Sequence, residues 1–185
     1  STLMKVLAGL VKPVSGRITI DGQRITSLTP NQSQRLGIGM VHQHFMLIPK
    51  LTVTENVCIG YKPAGYPFPN KRKVARDLAE LSEKFRLQIN PNSIVSSLSV
   101  GAQQRVEILN ALYRGANLLI LDEPTSILTP QETRGLFEII HSVIAQNHAV
   151  IFISHKLKEV LEISDRIVVL REGKVIADQQ NRNLD

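Results

Sequence analysis

Apolar side chains recur at helical spacing from the start of the chain. In STLMKVLAGL, every third or fourth residue is apolar: Leu3, Val6, Leu7 and Leu10. This period is typical of an amphipathic helix. No turn or strand precedes the pattern, so the sequence predicts a helix over the first ten residues without a local start signal.

Two strand-like patterns follow. Residues 15–25 alternate around Asp21-Gly22, a dipeptide that favours hairpin turns, and therefore predict a β-hairpin. Residues 37–47 (GIGMVHQHFML) are typical of a strand that runs into a loop.

Residues from about 56 to 114 are predicted to form a helical subdomain. A proline- and glycine-rich connector at 62–70 leads to a charged helix near 71–87. A later helix carries three apolar residues on one side: Val106, Leu109 and Leu112. We expect the flanking parts, 1–50 and 115–185, to form the core of a single domain.

The last third alternates strands with helices. Apolar runs at 117–121, 149–153 and 166–170 are strand-like. The helix between the first two carries a row of apolar residues: Leu136, Ile139, Ile140, Val143 and Ile144. Apolar strands separated by helices predict a parallel sheet covered on both faces. The expected fold class is α/β, with a mostly parallel sheet, a small N-terminal antiparallel β part and the inserted helices.

Composition narrows the class of protein. The 185 residues are 43% hydrophobic and 21% charged, as in a globular domain, and no apolar run approaches the roughly 20 residues of a membrane span. The net charge is +6, and much of the excess lies between residues 62 and 86. A basic face can meet nucleic acid or an anionic membrane, but a solvated helix face accounts for it more simply. We expect no nucleic-acid partner.

Two adjacent carboxylates, Asp122 and Glu123, follow the apolar strand LLIL. Ligands of open α/β sheets bind at this end of the strands. One carboxylate can hold Mg²⁺ and the other can orient or deprotonate an attacking water. The sequence is equally compatible with two solvated acids at the end of a strand.

Other polar residues stand where a phosphate can bind. Ser1 and Thr2 begin one helix, and Ser99 and Gly101 begin another. Free N–H groups at a helix start favour anions, although ordinary capping explains the same residues. Two further polar residues, Gln43 and His155, each stand just past a predicted strand. For them, a structural role and a contact to phosphate or water are both open.

The series Ser-Thr, Gln, LSVGxQQR, LDEP and His resembles, in order and spacing, the ATPase subunit of ABC transporters. The resemblance covers essentially the whole chain and implies the P-loop NTPase fold. It implies the following motifs: Ser1-Thr2 as the end of Walker A, Gln43 as the Q-loop, Leu98 to Arg105 as the signature, Leu118 to Glu123 as Walker B, and His155 as the switch histidine.

The resemblance also implies ATP and Mg²⁺ as the bound groups. The catalytic residues would be Glu123, His155 and Gln43, and the metal ligands Ser1, Gln43 and Asp122. Nucleotide contacts would come from Ser1, Thr2, Ser99, Val100, Gly101 and Gln103, with those of the signature serving the site of a second cassette.

A closer resemblance is to the first cassette of tandem-cassette importers, carried by GIGMVHQHFMLIPKLTVTENV, by LSVGAQQRVEILNALYRGANLLILDEPTSILTPQE and by ISHKLKEV. It implies import of nucleosides or simple sugars in a prokaryote. It also implies transmembrane permease subunits, a second cassette and, indirectly, a substrate-binding protein as partners. The location implied is peripheral, on the cytoplasmic face of the inner or plasma membrane.

The sequence departs from the superfamily pattern at two places. Val100 and Ala102 alter the LSGGQ signature but leave Ser99 and Gly101 in place. Thr129 replaces the usual aspartate of the D-loop. Thr129-Pro130-Gln131-Glu132 predicts a capping box with proline at the first helical position, which explains the threonine locally.

The 185 residues contain neither the glycine-rich phosphate loop nor its lysine. We therefore expect a fragment that starts inside Walker A and stops before a second cassette, and that neither binds nor hydrolyses ATP measurably by itself. Two alternatives stay open for the intact protein: a soluble ABC-type ATPase not linked to transport, and a non-catalytic cassette. The presence of both Glu123 and His155 favours a catalytic cassette over a non-catalytic one.

Overall fold

The computed structural model describes residues 2–25, 28–42, 45–59 and 70–181. Its helices are α1 (Thr2–Leu7), α2 (Pro30–Arg35), α3 (Val53–Cys58), α4 (Lys71–Lys84), α5 (Val100–Tyr113), α6 (Pro130–Ala145) and α7 (Leu157–Ile163). Its strands are β1 (Ile18–Ile20), β2 (Gln23–Ile25), β3 (Ile38–Val41), β4 (Leu118–Asp122), β5 (Ala149–Ile153), β6 (Arg166–Arg171) and β7 (Lys174–Gln180). None of the helices over these ranges is long and apolar enough to cross a bilayer.

A parallel three-stranded sheet, in the order β3-β4-β5, lies at the centre. β4 is the middle strand, and its residues 119–121 are almost completely buried. The register pairs Leu121 with Val41 on one side and Asp122 with Ile153 on the other. The carboxyl ends of all three strands therefore meet at one edge, and the predicted α/β fold class is confirmed.

Two antiparallel hairpins accompany the central sheet. β1 and β2 form the predicted hairpin around residues 21–22. β6 pairs with β7, not with the parallel sheet, so the prediction that 166–170 forms another strand of that sheet is wrong for the described residues. The reason is local: Glu172 and Gly173 both adopt positive φ, at 51° and 75°, which turns the chain back on itself.

The segment between β3 and β4 is largely helical. α3, α4 and α5 pack together around fully buried apolar residues: Val53, Val57, Leu78, Val106 and Leu109. The division into a core and a helical subdomain at about 56 and 114 stays a prediction.

Capping boxes begin three of the helices. The box predicted at Thr129 is present at the start of α6. The hydrophobic pattern did not predict α2 and α3, although Thr29 and Thr52 begin them with the same capping pattern. In each box the threonine and a Gln or Glu three residues later satisfy each other's backbone N–H groups. The spacing Thr-x-x-Gln/Glu was therefore the signal for both short helices.

Candidate functional site

The chain turns sharply where β4 ends. Asp122 is the last residue of the strand and is half-buried. The backbone of Glu123 still donates to the carbonyl of Ile153, at 3.0 Å, but its φ is +52°. A glutamate in the left-handed region is uncommon, and such backbones cluster at functional sites. The turn sends the Glu123 side chain towards the end of β5.

His155 meets Glu123 at this edge of the sheet. Nδ1 of His155 lies 3.0 Å from Oε1 and 2.8 Å from Oε2 of Glu123. The histidine side chain is 72% exposed and the glutamate only 23%. Oε2 is buried from solvent and is the carboxylate oxygen that lies nearer to Nδ1.

A polar network ties the loop after β4 to the start of α7. The buried hydroxyl of Thr125 donates to Glu159. Lys156 Nζ donates to the Thr125 carbonyl and to Glu159, both at 3.0 Å. Ser154 also donates to Glu159, at 3.4 Å. These bonds connect the two loops that carry Glu123 and His155.

The signature residues begin α5. Ser99 is the N-cap, and its hydroxyl accepts from the Ala102 N–H at 3.2 Å. Ser99 and Val100 are exposed, whereas Gly101 is buried. Gln103 turns back on its own helix, donating from Nε2 to the Leu98 carbonyl at 3.0 Å.

Two contacts join this signature helix to the segment after Glu123. Gln104, which is 3% exposed, donates to the Pro124 carbonyl at 2.7 Å. The Gly101 N–H donates to Glu132 at the start of α6, at 3.2 Å. The first turn of α5 and residues 124–132 therefore form one connected unit.

The structure does not join all predicted residues. Ser1 and Gln43 lie outside the described residues. Thr2 is exposed at the start of α1, and the far end of that helix is fixed to α2 by a 2.7 Å bond from Ser33 Oγ to the Leu7 carbonyl. The structure does describe Asp122, Glu123, His155 and the signature residues. Their functional roles stay predictions.

A cavity of about 340 Å³ adjoins the residues on either side of the predicted Q-loop. Its walls come from α2, β3 and α5, and it includes His42, Met46 and Glu107. Glu107 accepts from the Met46 N–H at 2.7 Å, and burial raises the pKa of its carboxyl. The cavity thus combines an apolar wall with a largely shielded carboxyl.

The residues present fit a magnesium ion bound with nucleotide. In the part of the chain that the structure describes, no three His, Cys, Asp or Glu side chains form a dedicated metal cluster. Mg²⁺ is usually held by one or two carboxylates together with substrate phosphates. Asp122, half-buried at the end of β4, matches that donor set.

Several residues of this site were missed by sequence reasoning. They stand inside a motif or within four residues of one: Gln104, Thr125, Lys156 and Glu159. Apart from the short Lys156–Glu159 pair, their partners lie 20 to 34 positions away. No spacing rule reports such contacts. Polar residues beside a motif were the only signal.

Known proteins match this chain over most or all of its length. The family model described as ABC transporter matches residues 1–126. The chain is 42% identical to the nucleoside import ATP-binding protein NupA of Lactococcus lactis and 44% identical to the guanosine import ATP-binding protein NupO of Bacillus subtilis. It is 42% identical to the ribose import ATP-binding protein RbsA 3 of Rubrobacter xylanophilus. Each match covers 100% of this chain and 37% of the relative.

Solved structures of ABC transporter cassettes also match this chain. The ADP conformation of an ATP-binding cassette of an ABC transporter matches with a TM-score of 0.84 and 25% identity, over 97% of this chain and 74% of that one. A dimeric bacterial ABC transporter cassette matches with a TM-score of 0.77 and 25% identity, over 99% and 81%. The chain therefore belongs to the ABC transporter family and has the fold of its ATP-binding cassettes.

Proposed function

We propose that the intact protein is the ATP-binding subunit of an importer and hydrolyses ATP to drive uptake of nucleosides or simple sugars. The observation that carries the proposal is the Glu123–His155 pair, which lies beside Asp122 at the ligand-binding edge of the parallel sheet. The relatives named above, which import nucleosides, guanosine and ribose, support the choice of solute.

Each side chain has a distinct task in this proposal. Glu123 orients and deprotonates the attacking water through its carboxylate. His155, exposed next to it, holds the γ-phosphate. Asp122 holds Mg²⁺ together with Ser1 and Gln43, and the ion supplies charge neutralisation at the phosphates when bound. Gln43 also contacts the attacking water.

The signature acts on the nucleotide of a second cassette. Ser99, Val100, Gly101 and Gln103 stand at the start of a 14-residue helix, whose positive end favours phosphate. The exposure of Ser99 and Val100 suits a contact made across an interface. Thr2, together with Ser1, binds the phosphates of the cassette's own nucleotide. The dimeric cassette named above supports this arrangement.

Transmembrane permease subunits are the second partner in this proposal, and a substrate-binding protein acts through them. The cavity beside His42 and Met46 supports a partner contact next to the Q-loop. The protein would then work peripherally on the cytoplasmic face of a prokaryotic inner or plasma membrane. That the 185 residues alone bind no ATP measurably is a separate prediction, which titration calorimetry checks.

The test is a Glu123→Gln change in the full-length protein, with ATP binding, ATP turnover and solute uptake measured. We expect binding to persist while turnover and uptake of labelled nucleoside or ribose both stop. Turnover that continues would remove Glu123 from its role. Turnover that stops without any change in uptake would favour an ATPase not linked to transport, and absence of turnover in the unaltered protein would favour a non-catalytic cassette.

A further inference from the structure

One carboxylate, that of Glu132, is shared between two helix starts. Its Oε2 accepts from the N–H and the hydroxyl of Thr129, both at 3.0 Å, and so closes the capping box of α6. Its Oε1 accepts from the N–H of Gly101 on α5, at 3.2 Å. A residue that caps its own helix thus also occupies a backbone donor of the signature.

The absence of a side chain at Gly101 makes this contact possible. A Cβ atom there would lie 2.8 Å from Glu132 Oε1 and 3.1 Å from both Cδ and Cγ. The carboxylate therefore rests directly against the first turn of α5. Any larger residue at position 101 would push Glu132 away from the signature.

The bound carboxylate is ionised. The pKa of Glu132 is lowered, first by the Thr129 backbone N–H, then by the Thr129 hydroxyl, with further help from the Gly101 N–H and the Ser99 hydroxyl. The start of a 14-residue helix carries partial positive charge and attracts anions. Glu132 consequently supplies an internal negative charge at the place where a phosphate would be attracted.

We propose that Glu132 is an internal competitor for the signature of this cassette. A nucleotide held by a second cassette reaches the Gly101 N–H only when the Glu132 carboxylate releases it. Release leaves the Thr129 bonds intact, so α6 keeps its cap during the exchange. Because Glu132 follows the loop after Glu123, engagement of the signature is thereby coupled to the catalytic edge of the same cassette. This inference rests on the proposed function.

The Glu132→Gln variant separates the two roles of the side chain. In α2 of this chain, the single oxygen Oε1 of Gln32 accepts from both the N–H and the hydroxyl of Thr29, at 2.9 and 3.0 Å. A glutamine at position 132 can cap α6 in the same way. Its amide group, which cannot accept a hydrogen bond, then faces the Gly101 N–H.

Glu55→Gln is the matched control. Glu55 closes an equivalent box with Thr52 on α3, but its other oxygen pairs with Lys71 at 3.0 Å instead of contacting the signature. Both substitutions remove one negative charge from a capping box. Only the substitution at position 132 removes a negative charge that contacts the signature.

The experiment uses the full-length protein carrying Glu123→Gln, so that bound ATP persists. We measure the half-saturating ATP concentration by titration calorimetry, with and without Glu132→Gln or Glu55→Gln. We expect Glu132→Gln to lower it about three- to tenfold, because the charge-assisted bond to the Gly101 N–H is lost and no acceptor replaces it. Glu55→Gln should leave it unchanged.

An unchanged or increased ATP requirement in Glu132→Gln, with Glu55→Gln unchanged, would overturn the inference. If Glu132→Gln does not fold, as judged by circular dichroism, Glu132→Ala is measured instead and should shift affinity in the same direction. Failure of the proposed function is seen separately, as undiminished turnover of the Glu123→Gln parent.

Discussion

His155 Nδ1 lies 2.8 Å from Glu123 Oε2, although the two residues are 32 positions apart. The parallel register of β4 and β5 brings them together, because Asp122 pairs with Ile153 and each loop begins just beyond that pair. The histidine is exposed and the glutamate shielded, so a ligand approaching from solvent meets the imidazole first.

A His155→Ala change should reduce ATP turnover of the full-length protein. We expect kcat to fall by about 100-fold or more, with KM changing much less, since loss of one positioned donor to the charge of the transition state costs that much. Steady-state ATPase assays check this. His141→Ala, at an exposed position of α6, is the control, and an unaltered kcat in His155→Ala would contradict the assignment.

A Thr125→Val change should destabilise the loop after β4. The substitution keeps the shape of a side chain that is 1% exposed but removes the hydroxyl that donates to Glu159. We expect a loss of about 1–2 kcal/mol in the free energy of unfolding, measured with urea. Thr133→Val, on the half-buried first part of α6, serves for comparison, and equal losses would argue against a special role for the network.

Gly135→Ala should stabilise the protein. Gly135 lies inside α6, and a Cβ there meets nothing within 4 Å. Alanine loses less backbone entropy than glycine when a helix forms, so we expect a gain of about 0.5–1 kcal/mol. Denaturant titration measures it, and a loss of stability would show that this part of the helix is packed against something in the folded protein.

Gly9→Ala should have the opposite effect. Gly9 has a φ of +73°, and a Cβ would lie 2.4 Å from the backbone carbon of Thr29. Neither the backbone contact nor the left-handed conformation can be relieved locally, so we expect a loss of about 2 kcal/mol or more. Gly22→Ala, with a similar φ of +77° and open space around it, should lose clearly less.

The stability of the fold should decrease as the pH is lowered through a range set by the pKa of Glu55. Its pKa is lowered from 4.5 to about 2, mainly by the Thr52 backbone N–H and then by Lys71. A lowered folded-state pKa stabilises the fold above the unfolded value, and this contribution disappears as the pH drops from about 4.5 towards 2. Thermal melts of wild type and Glu55→Gln should differ slightly at pH 7 and converge only as the pH approaches 2; a constant difference would contradict the assignment.

Local features of this protein follow from sequence because each depends on residues within one short segment of the chain. The Thr129–Glu132 box, the hairpin around residues 21–22 and the apolar core strand β4 are all present as predicted. The order of motifs likewise indicated the ABC transporter family that the comparisons show. Hydrogen-bonding and burial preferences of neighbouring residues are sufficient for such features.

The pairing of β6 could not be predicted in this way. Its apolar run is compatible with a parallel sheet or with a hairpin, and the positive φ of Glu172, a residue that rarely adopts it, selected the hairpin. Strand pairing depends on the competition between possible partners, which composition does not report.

Sequence by itself thus determined the longer elements, the cap of α6 and the order of the chemical motifs. Only the tertiary structure decided that the second oxygen of Glu132 meets Gly101, that Gln104 meets Pro124, and that Thr125 meets Glu159. The reason is physical: a side chain's first partner is set by the turn it belongs to, whereas its remaining hydrogen-bonding capacity is satisfied by whichever element packs against that turn.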